Sequence, residues 1–368
     1  MKKRILVFHP TIAPYRIDFF NDLYGAFDMR VCLLYRNLKS QSFDYEKIMD
    51  QLCFVPAYLK NILKIGKRSI YGGYWRQLRD FQPDIVVVGE FDLGTLAVLA
   101  YKYLFFKHFK IVSICDDSYN MVAEGNDFSF LHRLARKLVT PMLDDLVLVE
   151  PKVVKWYQDY YNKGFWFPII KKDETARLMY ERLTPRSIEV ARKWNVNDKN
   201  VFLFVGRLIN LKNVKTIIEA FSKINQKDNV LVIIGDGPEK SALQKQANAL
   251  RSNIIFLGRL EGDELNLWYN IANCFILASY QEAFGAVTNE ALLAGCWCLI
   301  SNKAGSSCLI EEGVNGNTFD PMDVDDLARK MELSISHTND VAWDIRNSRM
   351  LITYQERMHE LIEHLENL

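Results

Sequence analysis

No apolar stretch in the 368 residues approaches the about 18 positions that a membrane-spanning helix requires, so the sequence offers no candidate span. The start, Met1-Lys2-Lys3-Arg4, is basic, but only Ile5 to Phe8 are apolar before His9-Pro10, which is too short for a signal peptide. A disulfide framework is also missing. The seven cysteines, at positions 32, 53, 115, 274, 296, 298 and 308, are odd in number and several fall in apolar runs, which fits a reducing compartment. Cys296 and Cys298 are two apart and would point to opposite faces of a strand, so a shared metal is not expected. Net charge is scarce at +1. Residues 1–170 hold 23 Lys and Arg against 18 Asp and Glu, and residues 171–368 hold 23 against 27. This mild asymmetry lacks the concentrated basic face of a nucleic-acid binder. It is compatible with a basic amino-terminal domain resting near anionic lipid.

What is present is strand and helix in alternation. The length predicts two domains, or three, and the 49% hydrophobic content suffices for two full cores. In the first half, strands are expected at residues 4–9, 30–35, 84–89, 110–115 and 145–149, and helices at 15–25, 92–105 and 129–139. Such alternation argues for a parallel sheet covered on both faces, with ligands outside the carboxyl ends of the strands, at the loops after Phe8, Val88, Cys115 and Val149. The stretch from Trp166 to Asp173, restricted by Pro168, reads as a crossover between domains. Beyond it, helices are expected at 179–194, 213–223, 238–250, 263–271, 285–294 and 340–366, and strands at 201–205, 229–234, 253–257, 274–278 and 297–300. Residues 40–80 show few periods and many aromatics.

The stretch 282–290, EAFGAVTNE, carries the chemistry. It follows the buried-strand run 273–279 and leads into the helix expected from Gly285, whose first N–H groups lack intrahelical partners and favour a phosphate at Phe284-Gly285. Glu282 on the loop and Glu290, placed in the second turn, would flank that anion, and carboxylates accept hydrogen bonds from sugar hydroxyls. Taken alone, two glutamates at this spacing are as readily ordinary surface residues.

Four spaced motifs decide between these readings: Phe204-Val205-Gly206-Arg207-Leu208 with Lys212-Asn213, Ile233-Ile234-Gly235-Asp236-Gly237-Pro238, the Glu282 to Gly295 segment, and Glu311-Glu312-Gly313-Val314-Asn315-Gly316. In this order they resemble the signature of the family 4 retaining glycosyltransferases, over residues 200–330. The resemblance implies the GT-B fold: two Rossmann-like α/β domains facing a cleft, with carboxyl-terminal helices crossing back. The expected domains are 1–170 on the acceptor side, 171–339 for the nucleotide sugar, and helices in 340–368 packing on the first domain.

By the same resemblance, Arg207 and Lys212 form a diphosphate clamp, Glu282 holds the donor sugar, Glu290 the ribose, Phe284-Gly285 the phosphate, and Arg259 and Leu260 meet the base through backbone groups. Arg binds two phosphate oxygens at once and Lys adds a mobile point charge. In the first domain, Cys115 stands where the family often has histidine, so Asp116 faces the acceptor or the sugar, or caps the following turn. The family's glycine-rich first loop is replaced by a segment with no glycine and two prolines, from His9 to Arg16; His9, Tyr15 and Arg16 are placed on the acceptor side. Gly235-Asp236-Gly237-Pro238 lacks the third glycine of a dinucleotide fingerprint and reads as a tight turn with Pro238 starting a helix. Asp323-Val324-Asp325 copies an Asp-x-Asp metal motif but opens a helix, where acids are favoured by capping; no metal is expected.

The expected activity is retaining transfer of a sugar from a UDP or GDP sugar to a sugar or lipid-linked hydroxyl acceptor, in cell-surface polysaccharide or glycolipid synthesis, without a further cofactor. The alternative is a sugar-nucleotide epimerase or hydrolase, for which Asp116, Asp117 and His9 are the available acids and bases. A cytoplasmic protein with peripheral contact at the inner membrane face is expected, and no nucleic-acid partner. The aromatic run Tyr101 to Phe109 with Lys102, Lys107, His108 and Lys110 reads as that membrane contact or as a core helix ending in cations. Specificity is assigned to residues 36–80, read as an acceptor-facing insertion in their later part, and to 116–130.

Overall fold

The structure, a computed structural model, describes residues 2–36, 45–65, 68–125, 129–337 and 346–368. Parts of the expected specificity segments and of the expected helix 340–366 therefore lie outside the described residues. The chain divides into two units, Met1–Ile169 with Gln355–Leu368, and Ile170–Tyr354.

The first unit is built on a seven-stranded sheet in the order Ala57–Tyr58, Asp28–Leu33, Arg4–His9, Ile85–Gly89, Lys110–Cys115, Asp145–Leu148 and Phe165–Trp166. All neighbours pair in parallel. The run Ile85-Val86-Val87-Val88 is apolar without alternation because helices bury both faces of a parallel sheet. Helix Leu93–Leu104 starts on Asp92, which accepts from the Thr95 N–H at 2.9 Å. Helix Phe130–Val139 starts on Ser129, which accepts from the His132 N–H. These caps satisfy otherwise orphaned donors. Residues 45–81 are more regular than their sequence suggests, with helices Tyr45–Gln51 and Tyr74–Phe81 and an antiparallel hairpin of Lys60–Ile65 and Arg68–Gly72.

Helix Tyr354–Asn367 covers one edge of this sheet. Its Arg357 guanidinium lies 4.6 Å from the Trp166 ring centroid, its His364 Nε2 lies 2.6 Å from Asp145 Oδ2, and Leu361 and Leu365 are buried. The helix is shorter than the expected 340–366: residues 346–353 are not helical.

The second unit is a six-stranded parallel sheet in the order Ile254–Gly258, Asn229–Ile234, Asn200–Val205, Cys274–Leu277, Trp297–Ser301 and Gly316–Phe319. Its core is packed from Phe202, Phe204, Leu231, Ile276 and Trp297. From Asn200–Val205 the chain first proceeds to one side of the sheet, then returns to place Cys274–Leu277 on the other. The loops leaving the carboxyl ends of these two strands therefore diverge at the topological switch point, where open α/β sheets bind ligands.

Candidate functional site

At that switch point, the loop Gly206-Arg207-Leu208 rests on a glycine turn. A Cβ on Gly235 would lie 1.8 Å from the Gly206 carbonyl oxygen, and one on Gly237 would lie 2.3 Å from that of Leu208. The Leu208 N–H donates to the Asp236 carbonyl at 2.9 Å. Gly235-Asp236-Gly237 is thus a packing turn, but Pro238 stays within it and the helix begins only at Lys240.

The chain then makes the single turn Asn210–Lys212 and reverses at Asn213, which has φ 53° and donates its side-chain N–H to the Pro321 carbonyl at 2.9 Å. This leaves Lys212 Nζ against the Glu282 carboxylate, in an ion pair whose side chains are only 15% and 20% exposed. The Ser279 hydroxyl donates to the same carboxylate at 3.3 Å, and the Tyr280 N–H donates to the Leu211 carbonyl at 3.0 Å. Arg207, by contrast, is exposed and makes no ion pair among the described residues.

The Glu282 loop is propped from below. Ser306 N–H donates to the Phe284 carbonyl at 2.7 Å, and a Cβ on Gly305 would lie 2.2 Å from the Ala283 oxygen. Gly285 has φ 93°, outside helical range, so the following helix is Val287–Leu293 rather than 285–294. Glu290 consequently falls in the first turn, not the second. Phe284 is buried.

Glu290 is held by residues that the spacing of motifs did not indicate. Lys171 Nζ lies 2.5 Å from one carboxylate oxygen, and the Tyr269 hydroxyl donates to the other at 3.0 Å. The Tyr180 hydroxyl donates to the Glu290 carbonyl at 3.0 Å, and the Lys171 N–H to Asn289 Oδ1 at 2.9 Å. Burial pushes both phenols far above their ordinary range, so they remain donors. Lys171 stands in the crossover stretch, 119 residues from its partner, and no local pattern links the two.

Arg259 is exposed and paired with Glu261 at 2.8 Å, and Leu260 is half-buried. Gly258 between strand and loop has φ 74° and accepts from the Gly235 N–H, tying this loop to the glycine turn. Asp323 caps helix Val324–Ser336 by accepting from the Asp326 N–H at 2.9 Å, and Asp325 pairs with Lys223 at 2.6 Å. The Asp-x-Asp stretch is accounted for by its helix.

The first unit gathers a second group. Arg16 is buried, with Nη2 2.6 Å from Asp116 Oδ1. His9 donates its Nδ1–H to the Thr11 carbonyl at 2.6 Å, because a carbonyl oxygen can only accept. Burial, with Arg16 close by, brings the His9 pKa down to about 4. Burial and then the Asp116 charge raise that of Tyr15. The neighbouring Asp117 is wholly buried, accepting from Arg136 at 3.0 and 3.3 Å and from the Tyr157 hydroxyl at 2.6 Å. Asp116 and Asp117 thus have separate tasks, the first at the half-open end of the strand and the second inside the fold.

The family described as glycosyl transferases group 1 matches residues 187–349. The sulfoquinovosyl transferase SQD2 of Arabidopsis thaliana is 30% identical over 320 residues, covering 84% of this chain and 57% of that one. An uncharacterized glycosyltransferase, MJ1607, of Methanocaldococcus jannaschii is 29% identical over 170 residues, 42% and 44% of the two chains. The chain spans about half the length of these curated relatives. The crystal structure of Anabaena Alr3699/HepE in complex with UDP superimposes with a TM-score of 0.77 at 16% identity, covering 100% of both chains. Two parallel-sheet units of this topology and these similarities give the chain the GT-B fold, and within it residues 187–349, with the ordered motifs around Lys212 and Glu282, match the glycosyl transferases group 1.

Proposed function

We propose that the chain transfers a sugar, with retention of anomeric configuration, from a UDP or GDP sugar bound by the second unit to a hydroxyl of a sugar or lipid-linked acceptor in cell-surface polysaccharide or glycolipid synthesis. The observation that carries this reading is the Lys212–Glu282 pair at the switch point of the second sheet. As the glycosidic bond stretches, the diphosphate gains negative charge, and fixed cations facing it lower the barrier. Lys212, already neutralising one acid, and the exposed Arg207 guanidinium supply that charge. Glu282 takes the donor sugar's hydroxyls and Glu290 those of the ribose. The loop at Phe284-Gly285 admits the phosphate, and the backbone at Arg259 and Leu260 meets the base.

On the acceptor side, His9 ends strand Arg4–His9, Tyr15 and Arg16 lie on the single turn Pro14–Arg16 that follows it, and Asp116 follows strand Lys110–Cys115. Asp116 is ion-paired to Arg16, which suits an orienting acid. The departing phosphate oxygen then assists deprotonation of the acceptor on the same face of the sugar, and no protein base is obligatory.

The test is a transfer assay with a panel of UDP and GDP sugars, chosen by the rise each causes in unfolding temperature. Arg207→Ala and Glu290→Ala are each expected to lower transfer by about 10²-fold or more. Unchanged rates in both, with the chain folded, would sink the reading. So would a product of inverted anomeric configuration by NMR, or rapid inversion at a ring carbon of the donor without acceptor, which would indicate an epimerase.

A further inference from the structure

The transfer chemistry gives Lys212 a task and leaves Lys171 without one, although each stands against one of the two acids of the second unit. Lys171 is fixed first through its main chain. Its N–H donates to Asn289 Oδ1 at 2.9 Å, and Asn289, on helix Val287–Leu293, is 1% exposed. One residue further along that helix, Glu290 receives the Lys171 ammonium on Oε1 at 2.5 Å. Lys172 turns elsewhere, its Nζ 5.9 Å from the Tyr354 ring centroid, so the pairing belongs to one lysine of the two.

The opposite oxygen is held from a different element. Tyr269, wholly buried on helix Gly262–Ile271, donates to Glu290 Oε2 at 3.0 Å. The Tyr180 hydroxyl secures the Glu290 carbonyl, so the main chain beneath the side chain is fixed too. Among the described residues, no other donor reaches the carboxylate. An ionised carboxylate offers about four acceptor sites, two on each oxygen. Lys171 and Tyr269 occupy one on each, and one on each is left. The Glu290 side chain stays 17% exposed and so remains within reach of a ligand. Because both donors orient it before anything binds, the loss of its rotamer freedom belongs to folding and not to association.

Two free acceptor sites on the two oxygens of one carboxylate match two adjacent hydroxyls. In the function proposed above Glu290 faces the ribose, whose 2′ and 3′ hydroxyls are such a pair. We propose that Lys171 and Tyr269 make Glu290 a two-point acceptor for a vicinal diol, so that the chain selects ribonucleotide donors and disfavours 2′-deoxyribonucleotide ones such as thymidine diphosphate sugars. Both are positioning residues, acting through Glu290, and their role rests on the assignment of Glu290 to the ribose. A ligand without the 2′ hydroxyl leaves one acceptor of a largely buried anion without its donor, and hydrogen bonds to charged groups are the strong ones. Lys171 has a second effect: its ammonium cancels the charge that a bare Glu290 would set near the donor's diphosphate, where like charges repel.

Isothermal titration calorimetry of the full chain tests this, with UDP and GDP against 2′-deoxy-UDP and 2′-deoxy-GDP, which lack a single oxygen atom. The ribonucleotide is expected to bind about tenfold tighter or more, the worth of one hydrogen bond to a charged group. In Lys171→Met and in Tyr269→Phe that ratio should fall to about threefold or less, and Lys171→Met should also weaken the ribonucleotide itself about tenfold. Lys171→Arg keeps a cation beside Oε1 and should keep most of the ratio. A residue that merely braced the fold would change both affinities alike and leave the ratio as it was. Circular dichroism identifies the variants that fold, and the ratio in the parent chain needs no variant at all. Equal affinity of the parent for the two sugars overturns the proposal. So does a ratio that survives in both Lys171→Met and Tyr269→Phe but is lost in Glu290→Gln; either result leaves nucleotide binding by the second unit standing. A ratio untouched by Glu290→Gln removes the ribose from Glu290, and the proposal falls with that assignment. Binding of none of the four nucleotides would overturn the donor site itself.

Discussion

Lys212 couples two demands at one atom: its ammonium neutralises Glu282, and in the function proposed above the same ammonium meets the diphosphate. Lys212→Ala should therefore reduce transfer by about 10²–10³-fold. It should also destabilise the second unit by about 1–3 kcal/mol, less than a fully buried pair because water still reaches this one. Adding Glu282→Gln is expected to restore the unfolding temperature but not the turnover, a separation that paired denaturation and rate measurements would reveal. His9 provides a pH probe in the other unit. Its folded pKa of about 4 lies below the ordinary 6.5, so the unfolded chain binds the extra proton first. The stability associated with neutral His9 is intact above pH 6.5 and is lost as pH falls from there towards 4. The unfolding temperature should decline over that window, and less steeply in His9→Asn.

Among the elements, the turns that carry side chains to the site are more constrained than the side chains themselves. Gly235→Ala would drive a methyl group into the Gly206 carbonyl at a residue with φ 149°, shifting the loop that bears Arg207. We expect a loss of about 2–4 kcal/mol and weaker nucleotide binding, measured by denaturant titration and thermal shift. Asp323→Ala, which removes only a helix cap, should cost about 1 kcal/mol and leave nucleotide binding unchanged. The sequence showed the central strands closely, Arg4–His9, Lys110–Cys115 and Asn229–Ile234 matching the expected bounds, because a strand buried on both faces is a continuous apolar run. It showed the Glu282 loop for a different reason, since the loop carries one of the four short motifs. It concealed the start of helix Val287–Leu293, where the left-handed Gly285 delays helical geometry by two residues. The helix expected at 179–194 starts six residues earlier, at Asp173, and continues through Pro185. The hairpin at Lys60–Ile65 gives no apolar alternation to read, because its residues 60–64 are exposed throughout. Lys171 and Tyr269 reach Glu290 only through tertiary folding.

At the scale of the whole molecule, two units with separate cores should unfold in two calorimetric transitions, and a UDP or GDP ligand should raise only the one belonging to Ile170–Tyr354. Removal of Gln355–Leu368 should depress the other transition, since it strips the cover formed by Met358, Leu361 and Leu365, each worth about 1.5–3 kcal/mol of burial. That cover is contributed from far along the chain: Arg357 meets the Trp166 carbonyl across 191 residues and His364 meets Asp145 across 219. On the ribosome, the amino-terminal strands must therefore wait, incompletely shielded, while the entire second unit is translated. The nascent protein can finish its later half before its earlier one, and the interval in which those strands remain vulnerable to chaperones and proteases is set by the speed of elongation.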